Sequence, residues 1–430
     1  MHRIARKILQ ERLVHQQVHS KGSEITVALS GGVDSAISAW LLKQEGLRVR
    51  GVFLRSWGTG DEKEDCAYRD DRLAAQQVAG YLKLDDFQEI DLRPEYWNEV
   101  FMPHFVEGYR NGLTPNPDLA CNRYIKFGVL LRHATRQTNL LATGHYARCH
   151  NGQLFRAFDR DKDQTYFLAS VAPDALTRLR FPLGHWTKKD VRALARELGL
   201  PNANRASSRG ICFVGRRGSI TSLLDEFLPT SAAWRAIDVD TGRLLGFVSP
   251  YLTLGQRVRL GGLPHAFYVC DKDPQSGVLY VCAGRSNPAL FCWGYDVEPF
   301  DLWRAWIDRE QARSTSDCIR RGLHFQAWYR QTPSPCIVRL CNQAESASPG
   351  DAAQTHLEAN PQSIQLIQVI VPGSKPSAPV TAPGQAVVLY HNDLCIGGGT
   401  VRRLIRELEN APPWLTNCAA RSTSLVVKDA

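Results

Sequence analysis

Residues 24–38 read EITVALSGGVDSAIS, and the architecture of the N-terminal half turns on this stretch. Glu24–Leu29 has the β-branched, apolar pattern of a buried strand, and Ala36–Gln44 is an amphipathic helix closed by Gly46. Ser30, Gly31, Gly32, Asp34 and Ser35 form the bend between them. Adjacent glycines permit φ > 0 and let backbone N–H groups come close to an anion, and the helix adds its positive end. Arg48–Leu54 (RVRGVFL) is the next strand, so the fold opens on a βαβ unit. Neither G-x-x-x-x-G-K-[ST] nor G-x-G-x-x-G occurs in the chain. The bend is therefore a phosphate site of another kind, or an ordinary βα turn in which Gly and Ser are common.

Working outward, Asp70–Leu82 reads as a helix, Phe87–Leu92 as a strand, Tyr124–Gln137 as a helix and Leu140–Thr143 as a strand ending in a glycine turn. This alternation predicts an α/β, doubly wound parallel sheet that binds ligands at the carboxyl ends of its strands. Beyond about residue 200 the pattern changes to short strands punctuated by Gly and Pro, such as YLTLGQRVRL, GVLYVCAG and QAVVLYHNDLCIGGG. A small β-rich central domain followed by a C-terminal β-barrel or sandwich is expected. The boundaries follow: a basic segment 1–22, a catalytic domain 23–210, a loop and central domain 211–285, a C-terminal domain 286–408 and a tail 409–430. A Ser/Ala/Pro/Gln-rich insertion occupies 342–362.

Composition narrows the class. The chain has 430 residues, a formal charge of +9 and no apolar run long enough for a membrane helix, so no membrane partner is expected. The basic balance fits a polyanion such as nucleic acid. Twelve scattered cysteines without a C-x-x-C pair argue against a zinc ribbon or a secreted disulfide scaffold, and no protein metal site is expected. Any work for thiols is then chemistry by one or two of them. MHRIARKILQERLVHQQVHSKG carries five Lys/Arg against one Glu, the character either of a mitochondrial presequence or of a solvated first helix.

The SGGVDS loop resembles the pyrophosphate loop of the N-type ATP pyrophosphatases, an adenine nucleotide alpha hydrolase-like fold. TPNPDLACNRYIKFG, LLATGHYAR, KDQTYFLA, SSRGICFVG, LGQRVRLGG, WYRQ and DLCIGGG follow it in order. Together these motifs resemble the tRNA-uridine 2-sulfurtransferases, or tRNA 2-thiouridylases, over residues 24–405. The resemblance implies that ATP, with Mg2+, activates the C2 oxygen of the wobble uridine of a tRNA as an adenylate. Sulfur delivered as a cysteine persulfide by a donor protein then replaces that oxygen. By the same match, Cys212 carries the persulfide and Cys121 is the second catalytic cysteine, with a transient Cys121–Cys212 disulfide left behind. Ala28, Leu29, Ser30, Gly31, Gly32, Val33, Asp34, Ser35, Leu54 and Gly144 fall at the ATP site. Asn116, Pro117 and Asp118 fall at the target base, and Lys162, Asp163, Gln164, Tyr329 and Arg330 at other tRNA contacts.

The residues make their own sense of these roles. A reactive thiolate needs an electropositive, accessible setting. Cys121 has Arg123 and Lys126 nearby and is expected at the start of a helix, its sulfur at the dipole's positive end; Cys212 lies among Arg205, Arg209, Arg216 and Arg217. Cys270, Cys282 and Cys395 read as buried, inert thiols. Asp118 is either a proton-transfer group or a turn residue in N-P-D. The D-R-D-K-D-Q run reads as a loop offering single contacts, and Tyr329 and Trp328 as platforms for an unstacked base. Two departures stand out: Ala36 replaces the family's second serine, which costs a phosphate-facing hydroxyl, and Leu54 replaces a methionine of similar volume. The insertion and the basic N-terminus suggest a mitochondrial member, a bacterial cytoplasmic one being the alternative. Competing functions are a small-molecule adenylating enzyme, which needs neither cysteine, and a tRNA-binding protein whose catalysis has decayed.

Overall fold

The computed structural model describes residues 22–58, 62–134, 136, 138–206, 220–228, 233–311, 319–341 and 366–407. The basic N-terminal segment before residue 22, Cys212, the insertion 342–362 and the tail lie outside the described residues. Two compact units emerge. The first gathers the described residues of Met1–His104, Pro117–Leu223 and Asp393–Cys395; the second gathers those of Phe105–Asn116, Leu224–Asn392 and Ile396–Ala430.

The first unit is built on strands β1 (Glu24–Ala28), β2 (Arg48–Arg55), β3 (Asp86–Asp91) and β4 (Leu141–Ala142), a hairpin of β5 (Arg148–His150) and β6 (Gln153–Phe155), and β7 (Leu179–Arg180). Five of these form one sheet in the order β3-β2-β1-β4-β7, every pair parallel. Its strands are apolar where helices cover them: Ile25 and Val27 of β1 are fully buried with Ile37 and Leu41 from helix α1 (Val33–Gln44). The strand order reverses between β1 and β4, which opens a crevice at their carboxyl ends. The doubly wound parallel sheet expected from the βαβ pattern is therefore present, with Leu394 and Cys395 adding a strand to the β5–β6 hairpin.

The second unit holds the two β-rich bodies. A five-stranded sheet is made by β8 (Trp234–Asp238), β9 (Leu244–Val248), β10 (Arg257–Val258), β11 (Phe267–Asp273) and β12 (Val278–Ala283), in the order β10-β11-β12-β8-β9. A short pair, β13 (Phe291–Cys292) with β18 (Ala378–Pro379), lies in the same unit. The barrel comprises β14 (Gly294–Pro299), β15 (Ile319–Gln326), β16 (Ser334–Cys341), β17 (Leu366–Ile370), β19 (Ala386–His391) and β20 (Leu394–Ile405). Its order is β14-β17-β16-β15-β19-β20, and β14 pairs antiparallel with β20 to close it. Of the two outcomes expected here, barrel or sandwich, it is the barrel.

The glycines of DLCIGGG explain how the barrel closes. A Cβ on Gly398, whose φ is +119°, would lie 2.0 Å from the Val387 carbonyl oxygen, and one on Gly399 would lie 1.9 Å from that of Glu298. The backbones of neighbouring strands occupy the space that any side chain would need. Gly398→Ala is expected to cost about 3 kcal/mol or more, read as a lower midpoint of thermal unfolding. Gly261→Ala, where a Cβ meets nothing within 4 Å, should stay within about 0.5 kcal/mol of the parent. Equal midpoints for the two variants would remove the packing argument.

Candidate active site

The loop after β1 sits at the crevice where the strand order reverses. Leu29 extends the strand by one bond, its N–H donating to Val52 at 2.7 Å. Gly31 turns the chain at φ +74°, and a Cβ there would meet the Asp71 carbonyl oxygen at 2.4 Å. Gly32 then caps α1 with no side-chain hydrogen bond to the first turn, which leaves backbone donors facing the loop. Ser35 ties the bend together: its hydroxyl donates to the Gly32 carbonyl at 3.0 Å and accepts from the Ser30 N–H at 3.2 Å. Gly144 follows β4 so closely that a Cβ would lie 2.8 Å from the Ser35 nitrogen, so only glycine lets the two loops meet. Leu54 lies half-buried on β2 beyond Val52, the partner of Ala28, towards the same carboxyl edge.

Lys188, Tyr146 and Asn202, given no role in the sequence, complete this loop together with Arg205. Lys188, the first residue of helix α4 (Lys188–Glu197; α2 being Glu62–Tyr81 and α3 residues 117–134), donates its Nζ to both Asp34 oxygens at 2.6 Å. The Tyr146 hydroxyl donates to Asp34 Oδ1 at 3.0 Å, and burial beside that carboxylate raises the Tyr146 pKa far above its usual value. Arg205 donates to the Gly31 carbonyl at 3.1 Å and to Asp71 at 2.7 Å, while Asn202, itself buried, donates to the same carbonyl at 2.9 Å. The Asn202 side-chain oxygen Oδ1 finds no partner among the described residues. Ala36 corrects an expectation: its side chain is 0% exposed in the sheet's core, so a hydroxyl there would face the core and not an incoming anion.

The cysteine helix starts earlier than its sequence suggests. Instead of spanning Tyr124–Gln137, α3 begins at Pro117 and its described turns end at Ala134, with a wide-turned stretch over Cys121–Val129 in which the Leu130 N–H reaches back to Ile125. Cys121 therefore lies in the second turn, 7% exposed, on the buried face it shares with Ile125. The dipole's positive end falls on Pro117 and Asp118, not on the sulfur, and the open setting expected of this thiol is not seen in this conformation. Burial raises the Asp118 pKa, with Lys126 opposing it. His145, unremarked in the sequence, accompanies this helix: its ring lies 5.7 Å from Phe127 and 6.1 Å from Phe181, and its Nδ1 is 2.7 Å from the Thr143 hydroxyl. Burial, then Lys126, lowers its pKa well below the usual range and keeps the ring neutral. Asn116 precedes α3, in the second unit. Cys212 lies outside the described residues, as do Arg209, Arg216 and Arg217.

The three residues of the K-D-Q motif are placed differently from one another. Asp163 is 6% exposed and accepts from Arg156 Nε at 2.9 Å, from the Ala157 N–H at 3.1 Å and from the Thr165 hydroxyl at 2.9 Å. Gln164 gives its side-chain oxygen to the Tyr146 N–H at 2.9 Å. Both side chains shape the loop; Asp163 is buried, whereas Lys162 and Gln164 are each partly open to solvent. Tyr329 and Arg330 form a tight turn after β15, Arg330 at φ +69°, with its guanidinium 5.4 Å from the Tyr329 ring centre. Elsewhere burial pushes thiols up, Cys270 to about 12 and Cys149 and Cys292 to about 11.

A pH test follows from Asp118. Its folded-state pKa is raised, so its contribution to stability is full below the unfolded value of about 3.9 and is lost as pH rises through the folded value. Asp118→Asn, uncharged throughout, should melt higher than the parent at neutral pH, and the gap should close on acidification below the ordinary carboxylate range. A gap independent of pH would show that the carboxyl is not held in a buried setting.

With this geometry in view, comparison with known proteins gives a consistent result. The family model described as the tRNA methyl transferase HUP domain matches residues 23–216, and that of the aminomethyltransferase beta-barrel domain matches residues 352–401. A tRNA-specific 2-thiouridylase MnmA of Legionella pneumophila is 35% identical over 397 residues, covering 89% of this chain and 99% of the relative. That of Cupriavidus metallidurans is 37% identical over 395 residues, covering 89% and 99%. That of Halalkalibacterium halodurans is 35% identical over 397 residues, covering 90% and 97%. At this identity over nearly the whole of each relative, the chain belongs to the tRNA-specific 2-thiouridylase family.

Proposed function

We propose that this protein carries out ATP-dependent 2-thiolation of the wobble uridine of a tRNA. One observation carries the reading: the glycine-turned loop Ser30–Ser35, with Asp34 held at its helix end, lies in the same folding unit as the Cys121 helix, in a chain whose relatives match along their length. ATP seats its phosphates on the backbone donors of that loop, with Ala28, Leu29, Val33, Leu54 and Gly144 around the nucleotide. The C2 oxygen of uridine attacks the α-phosphorus, pyrophosphate leaves and the base is held as an adenylate. Lys188, released from Asp34, turns to the phosphate charge. Mg2+ is commonly held by one or two carboxylates together with substrate phosphates, and Asp34 fits that role; the ion would neutralise phosphate charge.

Sulfur arrives as a persulfide on Cys212, loaded by a persulfide-carrying donor protein. The terminal sulfur ends on C2 of the base, AMP departs with the former C2 oxygen, and attack by the Cys121 thiolate on the Cys212 sulfur leaves a disulfide. A two-electron thiol reductant returns both cysteines to thiols. Asp118, kept protonatable by burial, handles a proton as the oxygen leaves. Asn116 and Pro117 frame the extruded base. Lys162 and Arg330 meet RNA phosphates and Tyr329 a base, while Asp163 and Gln164 hold the loop that presents Lys162. The small-molecule adenylating enzyme and the decayed RNA binder draw no support from relatives matched over 97–99% of their length. A mitochondrial address rests on the basic composition of residues 1–22, and imaging tagged protein with and without that segment tests it.

The direct assay incubates the protein with unmodified tRNA, Mg-ATP and a persulfide donor and looks for retardation of the tRNA on a mercury gel. Wild type should shift the tRNA, and Cys121→Ser or Cys212→Ser should abolish the shift. Asp118→Asn should slow it by about 100-fold or more, and Lys188→Met should raise the KM for ATP. No shift with wild type, or a full shift with both cysteine variants, would sink the proposal.

A further inference from the structure

A cavity of about 590 Å3 opens within the second unit, and of the residues lining it only Trp328, expected from the sequence to stack an unstacked base, has been given a role above. Its volume falls in the range of roughly 300–1,000 Å3 typical of small-ligand sites. The floor is apolar, formed by buried Leu254, Leu290 and Val380. Arg285 is exposed at its wall and donates Nε to the Tyr268 hydroxyl at 3.0 Å, with its guanidinium carbon 5.4 Å from the centre of that ring. Trp328 also lines the cavity and is 47% exposed, which is unusual for so large an apolar side chain beside an apolar floor.

The two chain segments in its wall narrow the occupant. Thr114 accepts from the Thr253 hydroxyl at 3.0 Å and offers its carbonyl to Gln385 Nε2 at 2.7 Å, and Asn116 follows two residues later. Trp328 begins the turn that carries Tyr329 and Arg330, its carbonyl accepting from the Gln331 N–H at 3.1 Å. The cavity thus adjoins both segments of this unit for which tRNA contact is proposed. An indole face, a guanidinium held on an aromatic ring and an apolar floor match the chemistry of an unstacked base with its phosphate.

We propose that this cavity is a second nucleobase pocket. It takes an unstacked base of the same RNA loop that presents the reactive uridine, stacking it on Trp328 while Arg285 meets its phosphate. The inference deepens the tRNA reading and rests on it. Two bases gripped at once would fix the register of the loop, so that one uridine alone reaches Asn116.

The test uses an anticodon stem-loop RNA in which each loop base except the reactive uridine is replaced in turn by an abasic nucleotide. Dissociation constants are measured by fluorescence anisotropy. For wild type, one abasic position should weaken binding by about 10-fold; Trp328→Ala should weaken the intact RNA by about 10-fold, and the two losses should not add. Trp328→Phe should recover most of the affinity, and Arg285→Gln should flatten the salt dependence. Wild-type affinity in Trp328→Ala, or losses that add at every position, would overturn the pocket. So would a Trp328→Ala defect that appears only as loss of a dimer in sedimentation, which would make a second copy the occupant. Thiolation by wild type in the same preparation separates the two levels: if it is intact, a negative result sinks the pocket alone, and if it is absent, the proposed function falls and the pocket with it.

Discussion

A carboxylate at the head of the first crossover helix organises the catalytic unit. Asp34 is gripped by Lys188 and by Tyr146, groups 154 and 112 residues away in sequence. Lys188 opens helix α4, and Tyr146 follows β4 directly, so the one side chain ties together elements from both sides of the point where the strand order reverses. The ion pair is part-buried and doubly hydrogen-bonded, which places a cation and an anion side by side where a polyphosphate is proposed to enter. A lysine already charged and positioned costs little reorganisation when phosphate replaces the carboxylate as its partner. Gly144 matters for the same reason, because any larger residue would push the β4 loop away from Ser35.

Much of this was legible from local pattern. The strand Glu24–Ala28, the glycine bend and the closing Gly46 each carry their own backbone logic, and alternating strands and helices imply the parallel sheet. A β-barrel or sandwich was readable from the short, Gly- and Pro-punctuated strands, but the lack of room at the glycine triplet shows only once those strands are paired. Lys188 was not legible, because nothing in T-K-K-D separates it from Lys189 until α4 is docked against α1. The start of α3 was missed for a different reason. Proline at a helix's first position looks like a turn in N-P-D, and the widened turns after Cys121 break the 3.6-residue period. Asp163 looked like one surface charge among several, yet it is a buried acceptor for four donor groups from Arg156, Ala157 and Thr165.

The thiols divide along similar lines. Cys270 and Cys282 sit on neighbouring strands of the central sheet, where burial raises both and their sulfurs donate to strand carbonyls. Cys121 is also buried, but it shares α3 with Arg123 and Lys126 and lies three residues after a carboxyl whose pKa burial has raised. Sequence charge announced that company correctly; it did not announce the burial, since exposure depends on which face of the helix meets the sheet. On the proposed chemistry, Cys121 has to become accessible during the cycle, which is a demand on motion and not on composition.

The measurement that bears most directly on the account follows one oxygen atom. A tRNA carrying 18O at C2 of the wobble uridine is thiolated with unlabelled ATP and a persulfide donor, and the products are weighed by mass spectrometry. If the C2 oxygen attacks the α-phosphorus, the label appears in AMP, one atom for each thiouridine formed, and pyrophosphate stays unlabelled. Label released to water, or found in pyrophosphate, would contradict activation of the base as an adenylate on the Ser30–Ser35 loop.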